Sequence, residues 1–366
     1  MSIYKSYKNN LRLGVSGIMR VKNDGDFIKA CVESCIDALD ELIIVWNDCT
    51  DNSADEIEKM RQRYPNKIKT YEYKYKVYSV GLTKEEYEYA KSLPKDSPHL
   101  LCNYYNFALS KVTYQYALKI DADQIYFTNK LKKWCDIYRK NEITKITMSV
   151  IIGYMLNIYF RFVNKLNLLT GKVLPLLPHS IPHYFRFQYE TYLKYLISKQ
   201  NIKISLSGLN VFYDKKWYST MGAINDDINI LPPMNGTNDH CIFKVSKETY
   251  YIPIINKMYD KYRSEQYSII ELFVDHDSKY YNTGFFWFHL NSMREDTRQK
   301  VLQVKKKNPG AFRNVRLIHN IRRDDINKCP MADIGLKSLM QFQFAYDKNS
   351  ISKHISILKK VFSNEY

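Results

Sequence analysis

Between residues 14 and 120 the chain alternates short apolar runs with amphipathic segments, and this rhythm limits the fold more than any other feature. G-V-S-G-I-M (14–19), L-I-I-V-W (42–46), I-K-T-Y-E-Y (68–73) and T-Y-Q-Y-A-L-K-I (113–120) have the length and apolar content of strands. D-G-D-F-I-K-A-C-V-E-S-C-I-D-A-L (24–39) places apolar side chains at helical spacing behind an acidic first turn. N-D-C-T-D-N-S-A-D-E-I-E-K-M leads from a polar turn into a second helix. S-P-H-L-L-C-N-Y-Y-N-F-A-L-S (97–110) is expected to form a third, with Ser97 as N-cap and Pro98 in the first turn. Strand and helix in this order predict an α/β fold, a sheet flanked by helices.

In such a sheet, ligands bind beyond the carboxyl ends of the strands. Three of these ends carry unusual polar groups: M-R-V-K-N-D, W-N-D-C-T-D and D-A-D-Q. On extended backbone, Asp121 and Asp123 would point to the same side, because side chains alternate with period two. Two carboxylates so placed make a site for Mg²⁺ or Mn²⁺, which take oxygen ligands and bridge to phosphates. A pair of solvated loop acids is the plainer reading, and the end of a buried strand favours the metal. A second D-x-D, Asp275 and Asp277, sits among turn residues and reads as a loop.

Asp48 can accept hydrogen bonds from a nucleobase or ribose, whereas Asp51 and Ser53 of the same cluster suit helix capping. Arg20 and Lys22 offer cationic donors to a diphosphate or base. In N-G-T-N-D-H (235–240), Asp239 is either a general base for a substrate hydroxyl or part of the turn before C-I-F-K-V. His289, the one imidazole in F-F-W-F-H-L, is either a satisfied core histidine or the group that completes a metal site begun by two aspartates.

At 366 residues with only 12 glycines and no Pro- or Gly-rich linker, the chain is expected to form one large domain with appended pieces. The seven cysteines are odd in number, form no C-x-x-C pair and lie mostly in apolar segments, which predicts reduced, buried thiols in a cytosolic protein. The longest apolar run, Met148 to Phe160, is too short to span a membrane. A net charge of +17 suits nucleic acid, an anionic membrane surface or a phosphorylated substrate. No helix-turn-helix pattern, zinc-finger spacing or RNP-type aromatic platform supports nucleic acid. The basic stretches 305–307 and 311–323 suit a helical face on anionic lipid, or an ordinary solvated face.

The ordered set R-V-K-N, W-N-D-C-T-D-N-S, N-Y-Y-N-F-A-L and K-I-D-A-D-Q-I-Y resembles the GT-A glycosyltransferases, whose D-x-D motif binds a divalent metal on a nucleotide sugar. More narrowly, N-D-C-T-D, the N-Y-Y-N helix, N-G-T-N-D-H and G-F-F-W-F-H-L look like the bacterial β-1,4-N-acetylgalactosaminyltransferases of ganglioside-like lipooligosaccharide synthesis. The likeness covers residues 14–126 well and 204–290 in patches, and leaves 76–96 and 160–202 unplaced.

That resemblance implies a GT-A, Rossmann-like mixed sheet flanked by helices over residues 1–290, with a nucleotide-sugar half (1–126) and an acceptor half (127–290). A basic helical extension would occupy 291–366. UDP-sugar binding would fall to Arg20, Asn23, Asp48 and Asp121, with Tyr105 and Asn106 close to the nucleotide. Mn²⁺ or Mg²⁺ would sit on Asp121 and Asp123, with His289 as third ligand and Asp239 as the base. The expected reaction is inverting transfer of a sugar, GalNAc, to a lipid-linked oligosaccharide. It would take place in the cytoplasm, in peripheral contact with the anionic inner face of the membrane, where a cationic surface is an advantage. Two alternatives compete. A sugar nucleotidyltransferase needs a Gly-rich phosphate loop, and M-R-V-K-N-D-G-D has a single glycine. A basic nucleic-acid-binding protein would not depend on Asp121 and Asp123.

Overall fold

The computed structural model describes residues 10–140, 145–176, 181–199, 202–223, 229–236, 240–258, 266–275, 279–330 and 332–361. The chain divides into two compact units: 1–124, 128–140 and 238–279 make the first, and 125–127, 141–237 and 280–366 the second. The order begins β1 (Arg12–Val21), α1 (Gly25–Cys35), β2 (Glu41–Trp46), α2 (Ser53–Arg63), β3 (Ile68–Glu72), β4 (Val80–Leu82) and α3 (Lys84–Ser92). It continues with α4 (Leu101–Ser110), β5 (Tyr114–Asp121), β6 (Gln124–Tyr126) and α5 (Thr128–Lys140). Next come α6 (Met148–Thr170), α7 (Ile181–Tyr184), α8 (Arg186–Lys199), β7 (Lys203–Asp214), β8 (Lys216–Thr220) and β9 (Met234–Asn235). The chain returns to the first unit as β10 (Cys241–Lys244), β11 (Thr249–Met258) and β12 (Gln266–Asp275). It ends in the second with β13 (Tyr280–His289), α9 (Glu295–Lys307), β14 (Phe312–Asn314), α10 (Arg323–Asn327) and α11 (Ile334–Val361).

In the first unit β3, β2, β1 and β5 run parallel in that order, and β10 joins β5 antiparallel. This is a Rossmann-like mixed sheet, the α/β architecture expected from the sequence. Leu42, Ile43, Ile44 and Val45 of β2 are all buried, as a parallel strand covered on both faces requires. α1 covers the sheet with Phe27, Ile28, Cys31, Val32 and Cys35, which share one face at helical spacing. At about 1.5–3 kcal/mol for each fully buried large apolar side chain, that face supplies most of what holds the helix down.

At the amino ends of the strands, the buried carboxylate of Glu41 accepts from Ser16 Oγ at 2.7 Å, Thr113 N at 2.6 Å, Thr113 Oγ1 at 2.8 Å and Lys69 Nζ at 2.5 Å. One side chain thus ties β1, β2, β3 and the approach to β5 together. β11 and β12 form an antiparallel hairpin extended by β4.

The third helix starts later than expected. Ser97 Oγ accepts from His99 N at 3.4 Å, and Leu100 N donates to Ser97 O at 3.2 Å. Residues 97–100 are therefore a turn, and α4 begins at Leu101.

In the second unit β13 lies parallel to β7, β8 antiparallel to β7, and β14 antiparallel to β8. The segment 160–202, unplaced by sequence, is largely helical: it holds the end of α6, then α7 and α8. α6 and α8 meet at Gly153, where a Cβ would come within 2.2 Å of Gln188 O. α11 is interrupted at Asp347 (φ −129°, ψ 18°), whose buried carboxylate accepts from Phe285 N at 2.8 Å and Ser350 Oγ at 2.6 Å and pairs with Arg186 at 2.6 Å. All seven cysteines are free, and all but Cys49 are buried. Among the described residues no helix is long and apolar enough to cross a membrane.

Candidate functional site

Arg20, Lys22, Asn23, Asp48, Asp121 and Asp123 lie at or just beyond the ends of β1, β2 and β5. Arg20, one residue from the end of β1, lies in register with Val45 of β2 and Asp121 of β5. Its Cζ is 5.2 Å from the ring centre of Tyr105 and 5.7 Å from that of Tyr104. Burial works against the charge on this guanidinium, but Tyr105, Tyr104 and Glu271 outweigh it and raise the pKa above the ordinary value. Arg20 is therefore a fixed cation.

The loops beyond β1 and β2 are joined by one amide. Asn23 Nδ2 donates to Thr50 Oγ1 at 3.1 Å, and Thr50 N donates to Asn23 Oδ1 at 2.8 Å. Asn23 and Asp48 both take left-handed backbone, φ 55° and 47°, which Asn and Asp tolerate better than bulkier residues. Asp48 is exposed and pairs with Lys22 Nζ at 3.2 Å. Neither Asp51 nor Ser53 is the N-cap of α2, which is Asn52 with no side-chain cap bond; instead Gly25 N donates to Asp51 Oδ2 at 3.0 Å and Asp24 N to Ser53 Oγ at 2.8 Å, which ties α1 to α2.

Tyr105 and Asn106 of α4 are buried. Tyr105 stacks on Tyr251 at 4.9 Å, and Lys119 Nζ lies 4.9 Å from its ring centre. Asn106 Nδ2 donates to Tyr251 O at 2.9 Å while its Oδ1 accepts from Tyr251 N at 2.8 Å. The amide thus replaces a strand partner for β11 and pins α4 to the hairpin.

Asp121 is the last residue of β5, Ala122 and Asp123 make a turn, and β6 starts at Gln124. The period-two argument therefore does not describe the pair, because the backbone between them is not extended. Asp121 is half-buried and Asp123 buried. Burial alone would raise the Asp121 pKa; Lys119, His240 and Arg20 together hold it well below the usual carboxylate range. His240 Nε2 lies 3.0 Å from Asp121 Oδ2, to which it donates when that nitrogen carries the hydrogen. The amide of Gln124 lies 2.9 Å from the same nitrogen, and its Oε1 accepts from Asp121 N at 3.4 Å. Sequence reasoning gave His240 no role. The only signal was its place beside Asp239, and its partner is 119 positions away.

His289 belongs to the second unit. Asn210 Nδ2 donates to Pro232 O at 2.6 Å, which turns Asn210 Oδ1 towards His289 Nδ1 at 2.6 Å. Nδ1 then donates to that oxygen. Nearby, Trp287 Nε1 donates to Asn235 Oδ1 at 3.1 Å, and the indole lies so close to Gly208 and Gly236 that a Cβ there would meet it at 1.9 Å and 2.4 Å. Asp239 and Asp277 lie outside the described residues.

Among the described residues no three His, Cys, Asp or Glu side chains are gathered as a metal-binding group. The donors at the end of β5 still suit a hard divalent cation, because the Asp121 carboxylate is held ionised beside a second carboxylate on the next turn.

Residues 4–174 match the family model described as Beta-1,4-N-acetylgalactosaminyltransferase (CgtA). Of the four motifs likened to β-1,4-N-acetylgalactosaminyltransferases, N-D-C-T-D and the N-Y-Y-N helix fall within this match, and N-G-T-N-D-H and G-F-F-W-F-H-L lie beyond it. The match takes in Arg20, Asn23, Asp48, Tyr105, Asn106, Asp121 and Asp123, and stops short of Asp239, His240 and His289. No curated protein matches the chain.

Similar solved structures include Staphylococcus aureus TarS, at 17% identity and TM-score 0.24 over 35% of this chain and 20% of that one. TarS 1–349 gives 11% identity and TM-score 0.32 over 96% and 78%. Glucosyl-3-phosphoglycerate synthase from Mycobacterium tuberculosis, in complex with Mn²⁺, UDP and glucosyl-3-phosphoglycerate, gives 15% identity and TM-score 0.20 over 31% and 34%. The chain thus spans between 20% and 34% of the length of the first of these structures.

Proposed function

We propose that this chain is an inverting, metal-dependent glycosyltransferase that moves a sugar, GalNAc, from a UDP-sugar to a hydroxyl group of a lipid-linked oligosaccharide. The observation that carries this reading is the meeting of a fixed cation, Arg20, with an ionised carboxylate, Asp121, at the carboxyl ends of adjacent parallel strands. The CgtA match over residues 4–174 supports the class of chemistry.

Arg20 takes the negative charge of the nucleoside diphosphate. Asp48, exposed at the end of β2, accepts from the base or ribose. Asn23 holds the two strand-end loops together, and Tyr105 and Asn106 are positioning residues, the first through Arg20 and the second through β11. Asp121 and Asp123 would hold Mn²⁺ or Mg²⁺. His289, of the second unit, stays a candidate metal ligand by its own surroundings alone. A second-sphere oxygen on the other ring nitrogen is the usual setting of a ligand histidine, and Asn210 Oδ1 fills that place. When bound, the cation offsets the charge that gathers on departing UDP. His240 positions Asp121 by pointing an Nε2–H at Oδ2. Asp239 takes the proton of the acceptor hydroxyl as its oxygen bonds to the anomeric carbon; the bond to UDP breaks on the opposite face, and configuration inverts. Residues 1–290 are the catalytic domain in this reading, and 291–366 a basic extension. The enzyme works in the cytoplasm at the inner membrane face.

The test is to incubate the protein with Mn²⁺ and a panel of nucleotide sugars and to follow nucleotide release, wild type against Asp123→Ala. Release from UDP-GalNAc that the substitution abolishes is expected. If no nucleotide sugar is bound or turned over, and the substitution changes nothing, the glycosyltransferase reading fails.

A further inference from the structure

We propose that α6 is the membrane-binding surface of this protein, lying in the plane of an anionic bilayer with its outward row of side chains in the acyl boundary. The inference rests on the membrane location proposed above and not on the chemistry at Asp121. The row is Met148, Ile151, Met155, Ile158, Phe162 and Leu169, spaced by three, four, three, four and seven, so it forms one stripe along a 23-residue helix. All six are exposed, Met148 by 69%, Phe162 by 60% and Leu169 by 74%.

The opposite face is the one that packs: Val150, Gly153, Leu156, Asn157 and Asn167 are buried. A surface helix of a soluble domain normally turns charge outward, and apolar side chains scattered singly on a surface need no explanation. A contiguous row over a helix about 34 Å long does. Among the described residues Ile146 and Phe187, both exposed, add to the apolar surface at the helix's own unit.

Charge decides the occupant. α6 has no acidic residue, and its exposed polar positions include Arg161 and Lys165. An apolar stripe with a cationic rim is complementary to anionic lipid. A second copy of the same helix would bring the same cations towards each other with no carboxylate on α6 to offset them. Spanning is excluded for α6 by its own hydropathy, since no described helix is long and apolar enough to cross. The basic stretch of α9 is a weaker candidate: Lys305 pairs with Asp214 at 2.6 Å, and Val301 and Val304 face inward.

The test is sedimentation of the full chain with vesicles of phosphatidylglycerol and phosphatidylcholine, against phosphatidylcholine alone, at physiological salt. Wild type should bind the anionic vesicles. Ile158→Glu combined with Phe162→Glu should lower the partition coefficient at least about tenfold, and Arg161→Gln with Lys165→Gln about fivefold per charge. Val80→Glu, an exposed apolar site of the first unit, should change nothing. Should the glutamate variant misfold, hydrogen exchange on the wild type still decides: residues 148–169 must gain protection when anionic vesicles are added. Three results overturn the proposal. One is binding unchanged by the α6 substitutions, which leaves the membrane location standing. Another is no vesicle binding by wild type, which removes that location too. The third is a dimer in sedimentation velocity that the glutamates dissolve, with no protection by lipid. Nucleotide release without vesicles reads the catalytic proposal separately.

Discussion

Replacing Glu41 by Ala should destabilise the first unit by about 4 kcal/mol at pH 7. The substitution removes the acceptor of a buried donor, Ser16 Oγ, and of a half-buried one, the Thr113 amide. A buried polar group left without a partner costs about 1–3 kcal/mol. Lys69, more than a third exposed, can turn to water, so its share is held to about 1 kcal/mol or less. At about 2–4 °C per kcal/mol for a unit of this size, the apparent Tm should fall by about 10 °C.

Thermal melts by far-UV circular dichroism from pH 7 to pH 3 would test both the size and the sign. Burial by itself would raise the Glu41 pKa, but Lys69, Ser16 and Thr113 donate to the carboxylate, and the balance lies below the ordinary 4.5. A carboxyl group depressed in the folded state contributes stability that is complete above its unfolded value and is lost as pH falls through the folded one. The gap between wild type and variant should thus be full at pH 7 and begin to narrow as pH falls below about 4.5. A Tm unchanged within 2 °C at pH 7, or a gap that widens in acid, would refute the account of Glu41 as the tie between strands.

Asp239→Ala should abolish transfer while leaving UDP binding near wild type in calorimetry; loss of both would make Asp239 structural. His240→Ala should weaken Mn²⁺-dependent UDP binding by about 10–100-fold, as for other residues that orient a ligand, and an unchanged affinity would remove its positioning role. Asp347→Ala leaves Arg186, among the described residues, with the Glu190 carboxylate at 3.0 Å, and should cost about 3–5 kcal/mol in urea unfolding. A loss under 1 kcal/mol would mean that the α11 interruption does not depend on that carboxylate.

Much of the first unit could be read in advance because its signals are local. The apolar runs ending at Trp46 and Asp121, and the helix that buries Phe27 and Cys31, need only period and composition to be recognised. The β11–β12 hairpin was missed because Pro253 and Lys257 interrupt the first strand and the sequence around Asp275 reads as a turn; pairing along the whole register overrides both. Ser97 and Pro98 carry a helix-start signal, yet the hydrogen bonds they make close a turn first. The D-A-D motif was placed correctly at a strand end, but where β5 stops is decided by β1 and β10 and not by the motif. His240 and the outward row of α6 have no local signature at all. The first depends on a contact between distant segments, and the second on knowing which side of a helix has neighbours.

Trp287 gives the chain a built-in optical reporter. Its indole rests on Gly208 and Gly236 and bonds Asn235, four positions before Asp239 in the sequence. With Trp46, Trp134 and Trp217 changed to Phe, the remaining emission would follow the segment leading to the proposed base. Its movements on adding donor or acceptor could then be timed in a stopped-flow instrument without any attached dye.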